Sequence, residues 1–225
     1  MEIKQIYMTD NFAIFREYMK GLGIPETKER INDKVFEIQL LRRGKDNPDM
    51  PAANYSFKNY YIDSLESYDR HEEEIKKCCE MFRMRAYISV NVKSKTKLQL
   101  QCLKIISDNL YMGELKKPWK IFYKAFGNTK SEEQRWIVDV DRQDDIDDKE
   151  YLSQITYVIE SCSSGFEENV ITTIPTKSGY HIITHPFNVK EYNDKMDAFA
   201  KYEWHDNVDI PEIKKNHISL LYENL

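Results

Sequence analysis

The sequence is poor in the residues that interrupt or staple a chain. Seven glycines and seven prolines in 225 residues are too few for a collagen-like or low-complexity polymer. Four cysteines, Cys78, Cys79, Cys102 and Cys162, have neither the paired spacing of a zinc knuckle nor the density of a secreted disulfide framework. Reduced thiols in a cytosol are therefore expected. No apolar run approaches the length of a membrane span. The opening Met1-Glu2-Ile3-Lys4-Gln5-Ile6-Tyr7 lacks the basic-then-apolar layout of a signal peptide, so a cytoplasmic location without membrane attachment is expected. An excess of positive charge is missing too, since the formal net charge is −5.

What is present is a well-distributed set of apolar and aromatic residues, with fifteen tyrosines and ten phenylalanines. That composition fits a packed globular chain rather than a disordered one. Charge is unevenly placed. Acid gathers at Glu72–Glu74 and around residues 139–150, and base at Arg42-Arg43-Gly44-Lys45, Lys93–Lys97 and Lys116–Lys124. Phosphate attraction acts over about a Debye length, so an acidic total leaves room for a basic groove.

Periodicity predicts helices over residues 9–22, 69–84, 98–110, 149–161 and 188–201, with a polar helical segment over 24–32. Strands are expected at 35–41, 55–62, 85–92, 136–141, 169–175 and 180–185, with a short one at 208–210. Residues 113–130 suit either a connection or a short helix around Trp119–Phe126. Pro211 onward is expected to be a polar tail docking through Leu220, Leu221 and Leu225. Mixed helices and hairpins without strict alternation imply an α+β architecture.

Three stretches carry candidate chemistry. In Trp136-Ile137-Val138-Asp139-Val140-Asp141 the two aspartates are two residues apart on a strand, so they share a face. Neighbouring carboxylates repel unless a cation sits between them, and a divalent metal is the usual solution. In Thr176-Lys177-Ser178-Gly179-Tyr180-His181 a turn offers backbone N–H groups, a lysine charge and an imidazole to an anion. A third acidic element is Asp206-Asn207-Val208-Asp209-Ile210, since two-metal phosphoryl transfer generally requires three carboxylates. Each stretch also has a plain structural reading: a strand end, an ordinary hairpin and a solvated turn.

The order of these stretches resembles the catalytic domain of the archaeo-eukaryotic primase superfamily, which includes primase-polymerases of phages and plasmids. Asp139-Val140-Asp141 is similar to that family's first motif, Ser178-Gly179-Tyr180-His181 to its second, and Val208-Asp209-Ile210 to its third. The resemblance spans about residues 135–210. It implies an RRM-like mixed or antiparallel sheet packed with helices in residues 135–225, beside an N-terminal α/β unit in 1–134. It also implies Mg²⁺ or Mn²⁺ held by Asp139, Asp141 and Asp209, with Asp206 as the alternative third ligand. Lys177, Ser178, Gly179 and His181 would contact nucleotide phosphates, with Asp139, Asp141, His181 and Asp209 as the catalytic set. The implied activity joins nucleoside triphosphates on a single-stranded DNA or RNA template, with a replicative helicase as a further partner. Arg42, Arg43 and Lys45 are the expected template contacts. The same carboxylates would also serve a metal-dependent nuclease or phosphoesterase, and the same fold a non-catalytic replication accessory protein that binds nucleic acid.

Overall fold

A computed structural model of the chain describes residues 8–47, 54–114, 117–143, 146–203 and 209–224. Among the described residues, six α-helices and two antiparallel sheets make up an α+β fold. The larger sheet runs in the order β1 (Met8–Asp10), β10 (Ile218–Asn224), β4 (Arg85–Ser89), β2 (Lys34–Arg42), β3 (Tyr55–Ile62), with the short β5 (Lys93–Ser94) also paired to β2. The smaller sheet is β7 (Val170–Pro175), β8 (Gly179–Thr184), β6 (Trp136–Asp141), β9 (Glu212–Lys215). Between these strands run α1 (Phe12–Gly21), α2 (Leu65–Phe82), α3 (Lys95–Tyr111), α4 (Pro118–Asn128), α5 (Asp148–Glu160) and α6 (Val189–Glu203).

The smaller sheet follows the chain as β6-α5-β7-β8-α6-β9 while β6 lies between β8 and β9 in space. Each helical crossover therefore joins two strands that flank a third, the split β-α-β arrangement of ferredoxin-like and RRM sheets. Alternation along β6 explains how this sheet packs. Trp136, Val138 and Val140 face α5 and α6, packing with Ile155, Ile159, Tyr192 and Met196. Ile137 points the other way, with Ile174 and Ile183, into the main core formed by α1, α2 and the larger sheet. Asp139 and Asp141 continue that second face past the point where the shared core ends.

Helix starts obey local chemistry. The Ser64 hydroxyl accepts from the Ser67 N–H at 3.2 Å, and the Ser94 hydroxyl from the Lys97 N–H at 3.0 Å. Asp147 accepts from the N–H groups of Lys149 and Glu150, each satisfying donors that lack intrahelical partners. Among the described helices none is long and apolar enough to cross a membrane.

Three sequence expectations change. Residues 24–32 are turns rather than a helix. The carbonyls of Pro25 and Glu26 accept instead from Leu65 and Glu66 at the start of α2, at 2.9 and 2.8 Å. Of the strand expected at 208–210, Asp209 and Ile210 are irregular, and Val208 lies outside the described residues. The expected tail is two strands, and β10 inserts between β1 and β4. Residues 218–224 thus complete the sheet of the N-terminal half.

Leu221 is fully buried in the main core from this strand. Leu221→Ala is expected to lower stability by about 2–5 kcal/mol, read from the midpoint of urea unfolding. Asn11, also fully buried, donates through Nδ2 to the carbonyls of Pro175 and Leu220, at 2.9 Å each. Asn11→Ala orphans two carbonyls and is expected to cost about 1–3 kcal/mol in the same measurement.

Candidate functional site

β6 and β8 pair residue for residue, placing Asp139 opposite His181 and Asp141 opposite Gly179. Two segments about forty positions apart in the sequence therefore meet side by side. The imidazole Nε2 of His181 lies 3.2 Å from Asp139 Oδ1, and its Nδ1 lies 2.9 Å from the Ser219 hydroxyl of β10. An ionised carboxylate only accepts, so Nε2 carries the proton toward Asp139. In the neutral ring Nδ1 then accepts from Ser219.

Lys214 of β9 donates its ammonium to the other oxygen of Asp139 and lies 3.7 Å from Glu212. The hydrogen bond from His181, and then that from Lys214, holds the Asp139 carboxyl well below the usual carboxylate range against the penalty of burial. The ammonium is shifted upward in turn: burial works against its charge, and Asp139 outweighs burial.

Gly179 has a steric role. A Cβ built there would stand 1.9 Å from the Val140 carbonyl oxygen, so any side chain forces β6 and β8 apart beside the aspartates. The hairpin is fastened on both sides, with Thr176 N–H donating to the Gly179 carbonyl at 2.8 Å and Arg142 N–H to the Ser178 carbonyl at 2.7 Å. The Thr176 N–H is thus engaged within the turn rather than free for an anion.

These groups line a cleft of about 440 Å³ between the two sheets. One wall carries Asp139, Asp141, His181 and Lys214, with Lys177 and Ser178 at the hairpin. The other is formed by Arg43, Arg85, Tyr87, Ile218 and Leu220. Arg43 donates to the Tyr87 hydroxyl at 3.3 Å. Arg85 bonds Asp46 at 2.8 Å and lies 3.0 Å from the buried Glu223, whose other oxygen is 3.7 Å from Lys177. Burial pushes the Glu223 carboxyl up, opposed by Arg85 and then Lys177. A larger cavity of about 690 Å³ opens beside the end of α1, among Lys34, Lys93 and Arg135, and holds none of the three motifs.

Of the expected site residues, Asp139, Asp141, Lys177, Ser178 and His181 line one cleft, and Gly179 packs directly behind them. Asp209 does not line it. It is exposed, and its carbonyl accepts from the Tyr151 hydroxyl of α5 at 3.2 Å. Without a strand to fix its side chain, Asp209 has no register against Asp139, whereas Glu212 of β9 is paired directly across from Asp139. Asp206 and the side chain of Lys45 lie outside the described residues.

Sequence reasoning found Arg43 but missed Lys214, Ser219 and Arg85, and the pairing of Glu212 with Asp139. The alternation Glu212-Ile213-Lys214 and the lone hydroxyl within Ile218–Tyr222 were the available signals.

Carboxylate oxygens facing a polar cleft suit Mg²⁺ or Mn²⁺. Asp139 and Asp141 provide donors of that kind, whereas Glu212, across the strand pair from Asp139, does not line the cleft. Among the described residues no three His, Cys, Asp or Glu side chains already converge as a metal cage, and Lys214 provides the cation beside Asp139. Comparisons with protein-family profiles, with curated proteins and with solved structures find no match.

Gly179→Ala is expected to cost about 3 kcal/mol by forced strand separation, seen as a lowered melting temperature. The depressed Asp139 carboxyl contributes stability that is fully present above the unfolded carboxylate range, near pH 4. That contribution is lost as pH falls through the folded value. Unfolding midpoints measured from pH 7 down to pH 2 should therefore fall more steeply for the wild type than for Asp139→Asn.

Proposed function

We propose that the chain is a metal-dependent nucleotidyltransferase of the primase-polymerase type, joining nucleotides on a single-stranded template. The observation that carries this reading is the meeting of Asp139-Val140-Asp141 with Ser178-Gly179-Tyr180-His181 on paired strands in one cleft. The opposite wall of that cleft is basic. A nucleoside triphosphate with its counter-cation needs such juxtaposition: carboxylates for the metal and fixed positive charge for the phosphates.

In this reading Asp139 and Asp141 would hold Mg²⁺ or Mn²⁺, and neither Asp209 nor Glu212 lines the cleft beside them. A divalent ion at Asp139 and Asp141 would supply the positive charge needed to activate a 3′-hydroxyl and to offset charge on the leaving pyrophosphate. Lys177 and Ser178 at the hairpin, and Arg43 and Arg85 opposite, receive the phosphates through charge-assisted hydrogen bonds. His181, oriented by Ser219, presents its Nε2 proton at the carboxylate wall. The template follows the basic and aromatic surface next to Arg43, where Tyr55 and Phe57 of β3 are exposed. A helicase partner remains compatible with this role.

One observation favours a second reading, a non-catalytic accessory protein that binds nucleic acid. Asp139 is already paired with the Lys214 ammonium and hydrogen-bonded by His181, as suits a structural carboxylate.

Extension of a labelled primer on a single-stranded template, with Mn²⁺ and nucleoside triphosphates, separates these readings. The wild type is expected to extend. Asp139→Ala, Asp141→Ala and His181→Ala should each fall by about 100-fold or more, with Glu191→Gln unchanged. Lys177→Ala should raise KM for the triphosphate about tenfold with kcat nearly constant. Strand cleavage without triphosphates would assign a nuclease. Template binding without either reaction would assign the accessory role.

A further inference from the structure

The layer formed by α3 and α4 packs against one end of the second face of the larger sheet, whose other end, with Leu41, Arg85 and Tyr87, lines the cleft. It packs through Leu98, Ile105 and Phe126 onto Val35 and Tyr61. That contact uses one side of α3. A second side carries Leu100, Leu103, Ile106 and Leu110, spaced three, three and four residues apart, with exposures of 60, 62, 40 and 74%. Aliphatic side chains at this spacing form a continuous ridge along about three turns. Scattered exposed leucines need no explanation, but an aligned row of them marks an interaction surface. On α4, Trp119 and Tyr123 are also mostly exposed, one turn apart.

Charge identifies the occupant. Lys104, Lys117, Lys120 and Lys124 are exposed along the two helices, and none forms an ion pair with a described residue, although Lys117 lies over the Trp119 ring. This basic rim belongs to a chain of net charge −5. A second copy docking by the same face would set lysine rows against each other, which disfavours self-association. A nucleic-acid strand would find Tyr111, Trp119 and Tyr123 for stacking, but the aliphatic ridge would be left without a role. We propose that the α3–α4 face docks an acidic amphipathic helix of another protein. Its apolar stripe would pack on Leu100, Leu103, Ile106 and Leu110, and its carboxylates would meet the surrounding lysines. The proposal is independent of the chemistry assigned to the cleft.

The test uses the whole chain and a fluorescein-labelled helical peptide of roughly 20 residues, long enough to hold a helix. The peptide has leucines at three- and four-residue intervals and glutamates elsewhere. Fluorescence anisotropy is expected to give a Kd of about 10 μM that weakens with added salt. Leu103→Asp should abolish binding. Lys120→Glu with Lys124→Glu should weaken it about tenfold or more. Both substitutions lie on exposed surface, and unchanged circular dichroism confirms that the fold persists. The proposal is overturned if the peptide fails to bind, or if Leu103→Asp leaves its affinity unchanged. It is equally overturned if the same substitutions instead abolish binding of an oligothymidine strand or of anionic vesicles. Sedimentation as a dimer that Leu103→Asp converts to monomer would assign the face to self-association.

Discussion

The architecture depends on one short crossing. The chain leaves β9 in the smaller sheet at Lys215 and enters β10 in the larger sheet at Ile218, with only Asn216 and His217 between. Asn216 takes a positive φ of 57°, a conformation asparagine tolerates better than most residues. A two-residue link cannot span much distance, so the end of β9 and the start of β10 must lie close together. β9 is paired to β6 and β10 to β4. The crossing therefore fixes the aspartate strand of one sheet against the arginine strand of the other. The cleft is the gap that this connection leaves, with His217 and Ile218 in its lining.

Proximity of the sheets also accounts for the electrostatics. Ser219 belongs to the larger sheet and His181 to the smaller, and their contact at 2.9 Å carries the orientation of the imidazole across the gap. Asp139 then meets a donor from each neighbouring strand, His181 from β8 and Lys214 from β9. His181 stands directly opposite Asp139, and Lys214, paired with Ile137, reaches it as a diagonal neighbour on the same face. Gly179 is the condition for that register, because any larger residue would clash with the Val140 carbonyl.

Much of this was legible in the sequence. The period-two pattern of residues 136–141, the turn residues 176–179 and the apolar run after them identified two strands and a hairpin. That the first strand pairs with the second arm of the hairpin, in the register that sets Asp139 opposite His181, came with the structure. What sequence could not show was set by long-range pairing. Residues 24–32 carry helix-compatible composition, yet their carbonyls serve the N-terminus of α2, a demand visible only once α2 is placed. The lysines and asparagine of residues 214–217 disguised two strands as a tail, because a strand between two others is recognised by its neighbours more than by its own composition. Asp209 looked like a third ligand because an apolar-flanked aspartate suggests a strand. Register places Glu212, three residues on, directly across from Asp139.

The least economical part of the molecule lies where the cleft meets the larger sheet. Glu223 has a side chain only 1% exposed, and neither of its oxygens has a hydrogen bond. Arg85 stands 3.0 Å away without the alignment of a bond, and Lys177 3.7 Å. Arg85 Nε and Asp46 Oδ2 are also buried without partners. Charges removed from water and incompletely bonded are costly, and well-packed apolar residues at these positions would commonly be as stable or more so. Stability alone therefore does not account for this cluster. It does account for where positive charge is held: Arg85 is anchored between Asp46 and Glu223, and Lys177 is drawn toward the same carboxylate. Folds typically break their own packing rules at sites that bind or react. Here the rule is broken beneath the basic wall, directly across the cleft from Asp139.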